Sequence, residues 1–340
     1  MKSHNISTTE KKNKYSLYVW VAAAVFISTY LLSLYWVNSY PMVYESREYP
    51  MWKHVKELMN AKTDDSLKLI VIGDSRAKAG FMPRQINYKT LNLAVGGSTP
   101  VEGYFTLLTY LENNPDPENL VLSYSPLHMS HDMYYWERTV KYDFLKNSQY
   151  NEISKKIPEL IDPEIGSVNL RWKYKYLTSM YISSVITGLT KKRWIKNEET
   201  YKYLIRSDGH SFFGTRKGSS SYNGEVKLAD DFHSSDLIDF YFNKTIQLAE
   251  SHNINVYWYT MPFNEASCEK VSKKLVYNFN KYIENINKKT DLEIIKKIHC
   301  LGNRYYGDGS HVYEGVHITT QDIITGIEEK NISVSQVPLE

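Results

Sequence analysis

The chain is short of cysteine: 340 residues carry two, Cys268 and Cys300. Neither sits in a Cys-x-x-Cys pair or at metal spacing from a histidine, which excludes a zinc ribbon or an iron–sulfur module. Excess basic charge is also small. The formal net charge is +3, with no basic stripe interleaved with aromatics, so nucleic acid is not an expected partner. No internal repeat is present, which excludes solenoids and propellers. The 42% hydrophobic and 23% charged residues are ordinary for a folded domain and argue against wholesale disorder.

Charge is wholly missing from residues 17–37, LYVWVAAAVFISTYLLSLYWV. Roughly 20 apolar residues suffice to cross a hydrocarbon layer about 30 Å thick. Tyr18 and Trp20 at one end, and Tyr35 and Trp36 at the other, suit the two interfacial belts. Lys2, Lys11, Lys12 and Lys14 precede the run, while Glu45, Arg47 and Glu48 follow it. The positive-inside rule then predicts a single-pass anchor in the cell membrane, with residues 1–16 cytoplasmic and 38–340 outside. A cleaved signal peptide has a shorter apolar core, of about 7–15 residues, and an A-x-A site that is missing here. An oxidising compartment would permit a disulfide between Cys268 and Cys300.

What is abundant is tyrosine, 29 of them. Tyrosine stacks on sugar rings but also packs cores and membrane-proximal surfaces. Residues 38–66 read as a polar stalk with a short helix near 51–60. The continuous apolar run LKLIVIG (67–73) predicts a buried parallel strand. LNLAV (91–95), NLVLSYS (119–125), INVYWYT (254–260) and LEIIKKI (292–298) predict further strands, and 100–113, 236–252 and 267–289 predict helices. This alternation implies an α/β fold with a parallel sheet. Residues from about 128 to 232 break the pattern and read as a large helical insertion over one end of the sheet. Residues 318–340 read as a C-terminal helix and tail.

In open α/β sheets ligands bind at the carboxyl ends of the strands. Gly73-Asp74-Ser75-Arg76 follows the first strand there, which would place the Ser75 hydroxyl at a helix N-terminus, beside N–H groups suited to a developing oxyanion. Serine needs a general base. Gly307-Asp308-Gly309-Ser310-His311 offers one, with Asp308 spaced to orient His311. Glu314 and His317 repeat that spacing; aspartate is the usual orienter and Gly309 eases the turn, which favours the first pair. Arg76 and Arg84 lie near Ser75 and suit an anionic or polyhydroxylated substrate, or simply a helix surface. His128, His131 and Asp132 are too few for a metal motif and read as surface or cap residues.

GDSR after a strand, NLAVGGSTP with its glycine pair, and DGSH near the C-terminus together resemble the SGNH/GDSL hydrolase family over roughly residues 67–317, the insertion excluded. The resemblance implies a flavodoxin-like α/β/α fold, Ser75 as nucleophile, His311 as base, Asp308 as its orienter, and no cofactor or metal. It also implies an oxyanion N–H from Gly96 or Gly97 beside that of Ser75. The family's Gly-x-Asn-Asp block is replaced by Ser123-Tyr124-Ser125-Pro126, so Ser125 or a backbone group substitutes, or the oxyanion hole is weaker. Together with the anchor, this variation is similar to cell-envelope acyltransferases. The expected function is O-acylation, chiefly acetylation, of a cell-surface polysaccharide. A multi-pass membrane acyltransferase is the expected acyl donor, because acetyl-CoA is cytoplasmic. A carbohydrate esterase with the same residues, and a non-catalytic envelope assembly module, are the alternatives.

Overall fold

The structure, a computed structural model, describes residues 8–63, 66–130, 135–160, 186–215, 220–225, 228 and 230–335. Among these, seven strands form: β1 (Leu69–Gly73), β2 (Thr90–Asn92), β3 (Asn119–Ser123), β4 (Asn255–Tyr259), β5 (Phe263–Asn264), β6 (Glu293–Lys296) and β7 (Cys300–Leu301). Five make one parallel sheet in the order β2-β1-β3-β4-β6, and β5 pairs with β7 in a small parallel sheet.

Side chains alternate across a strand, and here both faces are apolar. Ile70, Ile72, Leu120, Leu122 and Trp258 point to one side. That side is covered by helices Tyr49–Asn60, Pro100–Asn113, Asp236–Ser251 and Lys273–Asn287, through Trp52, Phe105, Tyr241 and Phe279 among others. Leu69, Val71, Val121, Tyr257 and Tyr259 point to the other, under Ala77 of helix Ser75–Gly80 and Ile323 and Ile327 of helix Val316–Ser335. Burial on both faces explains why LKLIVIG reads as a continuous apolar run.

Helix Pro100–Asn113 starts where the sequence predicts. Thr99 and Glu102 form a reciprocal capping box, and Pro100 occupies the first turn, where its missing N–H costs nothing. The strand expected at 91–95 runs from Thr90 to Asn92, whose carboxamide turns inward to the carbonyls of Ala77 (3.0 Å) and Phe81 (2.8 Å). The ladder nonetheless runs on, with Leu93 and Val95 N–H donating to Val71 and Gly73. The helix expected at 267–289 is two pieces, Glu265–Cys268 and Lys273–Asn287, each capped by a side chain, Asn264 and Ser272. The expected stalk is not free. From Tyr49 onward it is a helix whose Trp52, Val55 and Met59 are buried in the core.

Cys268 and Cys300 are joined, 32 residues apart, tying helix Glu265–Cys268 to β7. Closing a loop of that length constrains the unfolded chain by about 3–4 kcal/mol. Replacing both cysteines by serine should therefore lower the urea midpoint, and a midpoint unchanged by the double replacement would refute this contribution.

A second stabilising region is sensitive to acid. Lys78 is fully buried and donates to the carbonyls of Asn92 (3.1 Å) and Gly209 (2.7 Å). Burial pushes its ammonium down to about 7. Nearby, burial and the charges of Lys78 and Lys53 push His54 down to about 3. Burial and Lys78 likewise push His210 down to about 4, against the opposing bond to Ala79 O. Both imidazoles are neutral in the fold but take up protons below about 6.5 when unfolded. Stability should therefore fall as pH drops from about 6.5 to 4, read as a declining urea midpoint. His54→Leu should flatten part of that slope.

One helix, Thr8–Ser39, contains an apolar run at Tyr15–Trp36 long enough to cross a membrane, and none of it is buried in the protein.

Candidate active site

β1 ends at Gly73, beside the carbonyl end of β3. A Cβ at position 73 would strike the Ser123 carbonyl oxygen and the Ala77 side chain, so glycine is required by close approach. Asp74 follows as the N-cap of helix Ser75–Gly80, its Oδ1 accepting from Arg76 N at 2.9 Å. This puts Ser75 at the first helical position, at the carboxyl edge of the sheet.

The extended ladder from β2 brings the next turn to the same edge. Ser98 Oγ donates to Gly73 O (2.8 Å), and Gly97 adopts a left-handed conformation, φ +79°, that favours glycine. The Arg138 guanidinium lies where a Gly97 side chain would be, held by Glu48. The N–H groups of Ser75, Gly96 and Gly97 meet no protein acceptor among the described residues, and Gly96 faces the Phe213 ring.

His311 arrives from the other end of the chain. Its Nε2 is 2.8 Å from Ser75 Oγ, and its Nδ1 is 2.9 Å and 3.0 Å from the two oxygens of Asp308. With Nδ1–H donating to the carboxylate, Nε2 is the acceptor for the Ser75 proton. Asp308 Oδ1 also accepts from the N–H groups of Ser310 and His311, both at 2.8 Å. Burial raises the Asp308 pKa, but the His311 bond and charge and those two N–H groups outweigh it and bring it to about 2. The carboxylate is thus ionised throughout the range in which an imidazole can act as base. Glu314 and His317 are both exposed, and no bond joins either to Ser75.

The insertion reaches the same loop. Phe213 stacks on the His311 ring at 4.6 Å and 19°. Gly214 meets Gly307, and Gly224 meets Gly309, backbone to backbone. Nothing in the sequence singles out Phe213, because an aromatic in a glycine- and serine-rich stretch carries no periodicity.

Arg76 and Ser125, expected near the substrate, are turned inward, whereas Arg84 takes the surface place that is its other reading. Arg76 is buried, its guanidinium paired with Glu225 and lying 4.8 Å over the Phe263 ring. It clasps residues 220–225 to the domain. Arg84 is on the surface, paired with Asp208 at 2.5 Å. Ser125 is buried under the Ser75 turn. Its N–H donates to Asp74 Oδ2 at 2.7 Å, and its hydroxyl meets His128 Nδ1 at 3.0 Å.

His128, expected on a surface or cap, is instead buried, with Nδ1 2.7 Å from Asp74 Oδ2. Its position in the short helix Pro126–Ser130 turns it back beneath β1. His131 and Asp132 lie outside the described residues. No cluster of three or more metal-binding side chains occurs among the described residues. A cavity of about 750 Å³ between helix Tyr49–Asn60 and residues 142–147 includes neither Ser75 nor His311. Side-chain exposures of 16% for His311 and 33% for Asp308 leave the relay partly accessible to solvent.

Compared with models of protein families and with curated proteins, the sequence matches none.

Proposed function

We propose that the protein is a membrane-anchored serine acyltransferase working outside the cytoplasm, O-acetylating a cell-surface polysaccharide through an acyl-Ser75 ester. The observation that carries this reading is the hydrogen-bonded chain Ser75–His311–Asp308, assembled from the two ends of the domain at the carboxyl edge of a parallel sheet. Strand order supports a flavodoxin-like α/β/α arrangement, a fold that binds ligands at this edge. The uncharged 22-residue run Tyr15–Trp36, with a lysine cluster flanking its N-terminal side, supports an outward-facing domain.

Ser75 Oγ attacks the acyl carbonyl while its proton passes to His311 Nε2, and Asp308 stabilises the imidazolium. The oxyanion takes the N–H of Ser75 and one from the Gly96–Gly97 pair. His311 then protonates the departing oxygen of the donor, leaving acyl-Ser75. A sugar hydroxyl next gives its proton to His311 and attacks that ester, and the proton returns to Ser75 Oγ as the acylated sugar leaves. The donor at the membrane would be supplied by a multi-pass acyltransferase, since acetyl-CoA is cytoplasmic.

Partial solvent access to the relay supports a second reading, in which water replaces the sugar and the protein is an esterase. Full-length protein incubated with an activated acetyl ester and glycan should yield an acetylated Ser75 peptide and an acetylated glycan by mass spectrometry. Acetylated Ser75 with hydrolysis alone would leave the esterase. A Ser75 that reacts neither with this ester nor with a fluorophosphonate in folded protein would refute both.

A further inference from the structure

The chain leaving the apolar helix is tied down at once. Pro41–Tyr44 is a short helical turn, and Asn197 Nδ2 donates to the carbonyls of Met42 (3.0 Å) and Glu45 (3.1 Å). Asn197 is buried near the start of helix Arg193–Arg206. From Trp36, the end of the apolar run, to Met42 there are three helical residues and three more. That path spans about 15 Å at most. The beginning of helix Arg193–Arg206 therefore lies close to the point where an inserted anchor would leave the hydrocarbon. The polar layer there is about 5–8 Å deep on each side.

The surface at this place has the chemistry of that layer. Ile186, Leu189 and Trp194 are exposed by 58%, 49% and 42%. Single exposed apolar residues are ordinary, but three within nine residues, beside Lys191 and Lys192, are an amphipathic patch. Arg47, Lys191, Arg193 and Lys196 line a cleft of about 400 Å³ with Ser46 and Glu48. The charge of Arg193 acts on the buried Glu45 carboxylate, which Lys141 holds, and Glu48 is held by Arg138, whereas no ion pair joins Arg47, Lys191 or Lys196 to an acid among the described residues. Tryptophan favours the interfacial level, and Lys/Arg near a bilayer attract anionic headgroups.

We infer that residues 186–196 form a second membrane contact, which seats Ile186, Leu189 and Trp194 among the headgroups and holds anionic lipid phosphate in the cleft of Arg47, Lys191, Arg193 and Lys196. This rests on the reading of Tyr15–Trp36 as a retained anchor. Two attachments fix the height and tilt of the domain, whereas one tether leaves it free to swing. A protein partner is the less favoured occupant, because the short tether keeps this patch within reach of lipid.

Both native cysteines are in the disulfide, so one added cysteine gives a unique label. Full-length Leu189→Cys carrying an environment-sensitive fluorophore is reconstituted in vesicles of phosphatidylcholine with or without phosphatidylglycerol. The expected result is blue-shifted emission, quenched by headgroup-level nitroxide lipid, while the same label at Tyr277→Cys reports water. Lys191→Glu with Lys196→Glu should reduce the quenching selectively in phosphatidylglycerol vesicles, as should added salt. Fluorophosphonate labelling of Ser75 should be unchanged by that pair. Quenching equal in both vesicles, and indifferent to the charge reversals, would overturn the phosphate cleft. A water-like label at position 189 would overturn the whole contact. So would a label shielded from iodide but not quenched by lipid, which would mark a protein face. A label at Val25→Cys separates the two readings: lipid-exposed at 25 with water at 189 sinks this inference alone, and water at 25 sinks the anchor.

Discussion

Replacing His311 by alanine should slow acylation of Ser75 by on the order of 10⁴-fold or more, the scale at which Ser–His relays lose activity when one member is removed. The effect is large because one side chain performs two transfers: it takes the Ser75 proton across 2.8 Å and returns it to the leaving oxygen. Asp308→Asn should cost a comparable amount despite keeping the shape. An amide placed against His311 Nδ1 disfavours the tautomer that accepts from serine, and it loses the charge that stabilises the imidazolium. Asp308 also accepts two backbone N–H groups, so the substituted carboxamide is expected to settle with its oxygen on them and its NH₂ toward the ring. His317→Ala is the control, with a rate close to the parent, since His317 is exposed and lies outside the relay. Pre-steady-state acylation with an activated acetyl ester reads all three. Loss of activity in His317→Ala with retention in His311→Ala would reverse the assignment.

How much of this was legible in the sequence depends on the range of the interaction. LKLIVIG, the Pro100 helix start and the Asp-x-x-His spacing are local patterns, and each is found near its expected place. Ser75 and His311 are 236 residues apart, yet both lie next to recognisable turn residues at strand or helix ends, so their meeting could be anticipated. The pairing of Arg76 with Glu225 could not. GDSR places an arginine beside the nucleophile, but only tertiary packing decides that it turns inward to the insertion instead of outward to solvent. The same holds for Phe213 over His311, for His128 beneath Asp74, and for the burial of the expected helix that begins at Tyr49. A few aromatic residues among polar ones read as a stalk until Trp52 and Met59 find the core.

Asp74→Ala should be the most damaging change near the site that leaves the relay residues intact. The carboxylate is fully buried and accepts from Arg76 N, Ser125 N and His128 Nδ1. Burial raises its pKa, but the charge and bond of His128, the charge of Arg76 and the Ser125 N–H outweigh this and hold it well below the usual carboxylate range. Its stabilising contribution is therefore complete above about pH 4 and is lost only in strong acid. Removing one member of a buried, hydrogen-bonded pair costs about 3–5 kcal/mol, because the partners stay buried without it. Urea unfolding at neutral pH should register that loss. Ser125→Ala tests the same network from the other side. It deletes only the hydroxyl on His128 and keeps the backbone donor to Asp74, so it should cost about 1 kcal/mol and leave acylation within about tenfold of the parent. A hydroxyl that instead served the oxyanion would cost about 10²–10³ in rate when removed. A Ser125→Ala enzyme of normal stability but with a rate depressed to that extent would place the missing oxyanion donor at Ser125. A stable, fully active Asp74→Ala would show that the turn bearing Ser75 holds its shape without the carboxylate beneath it.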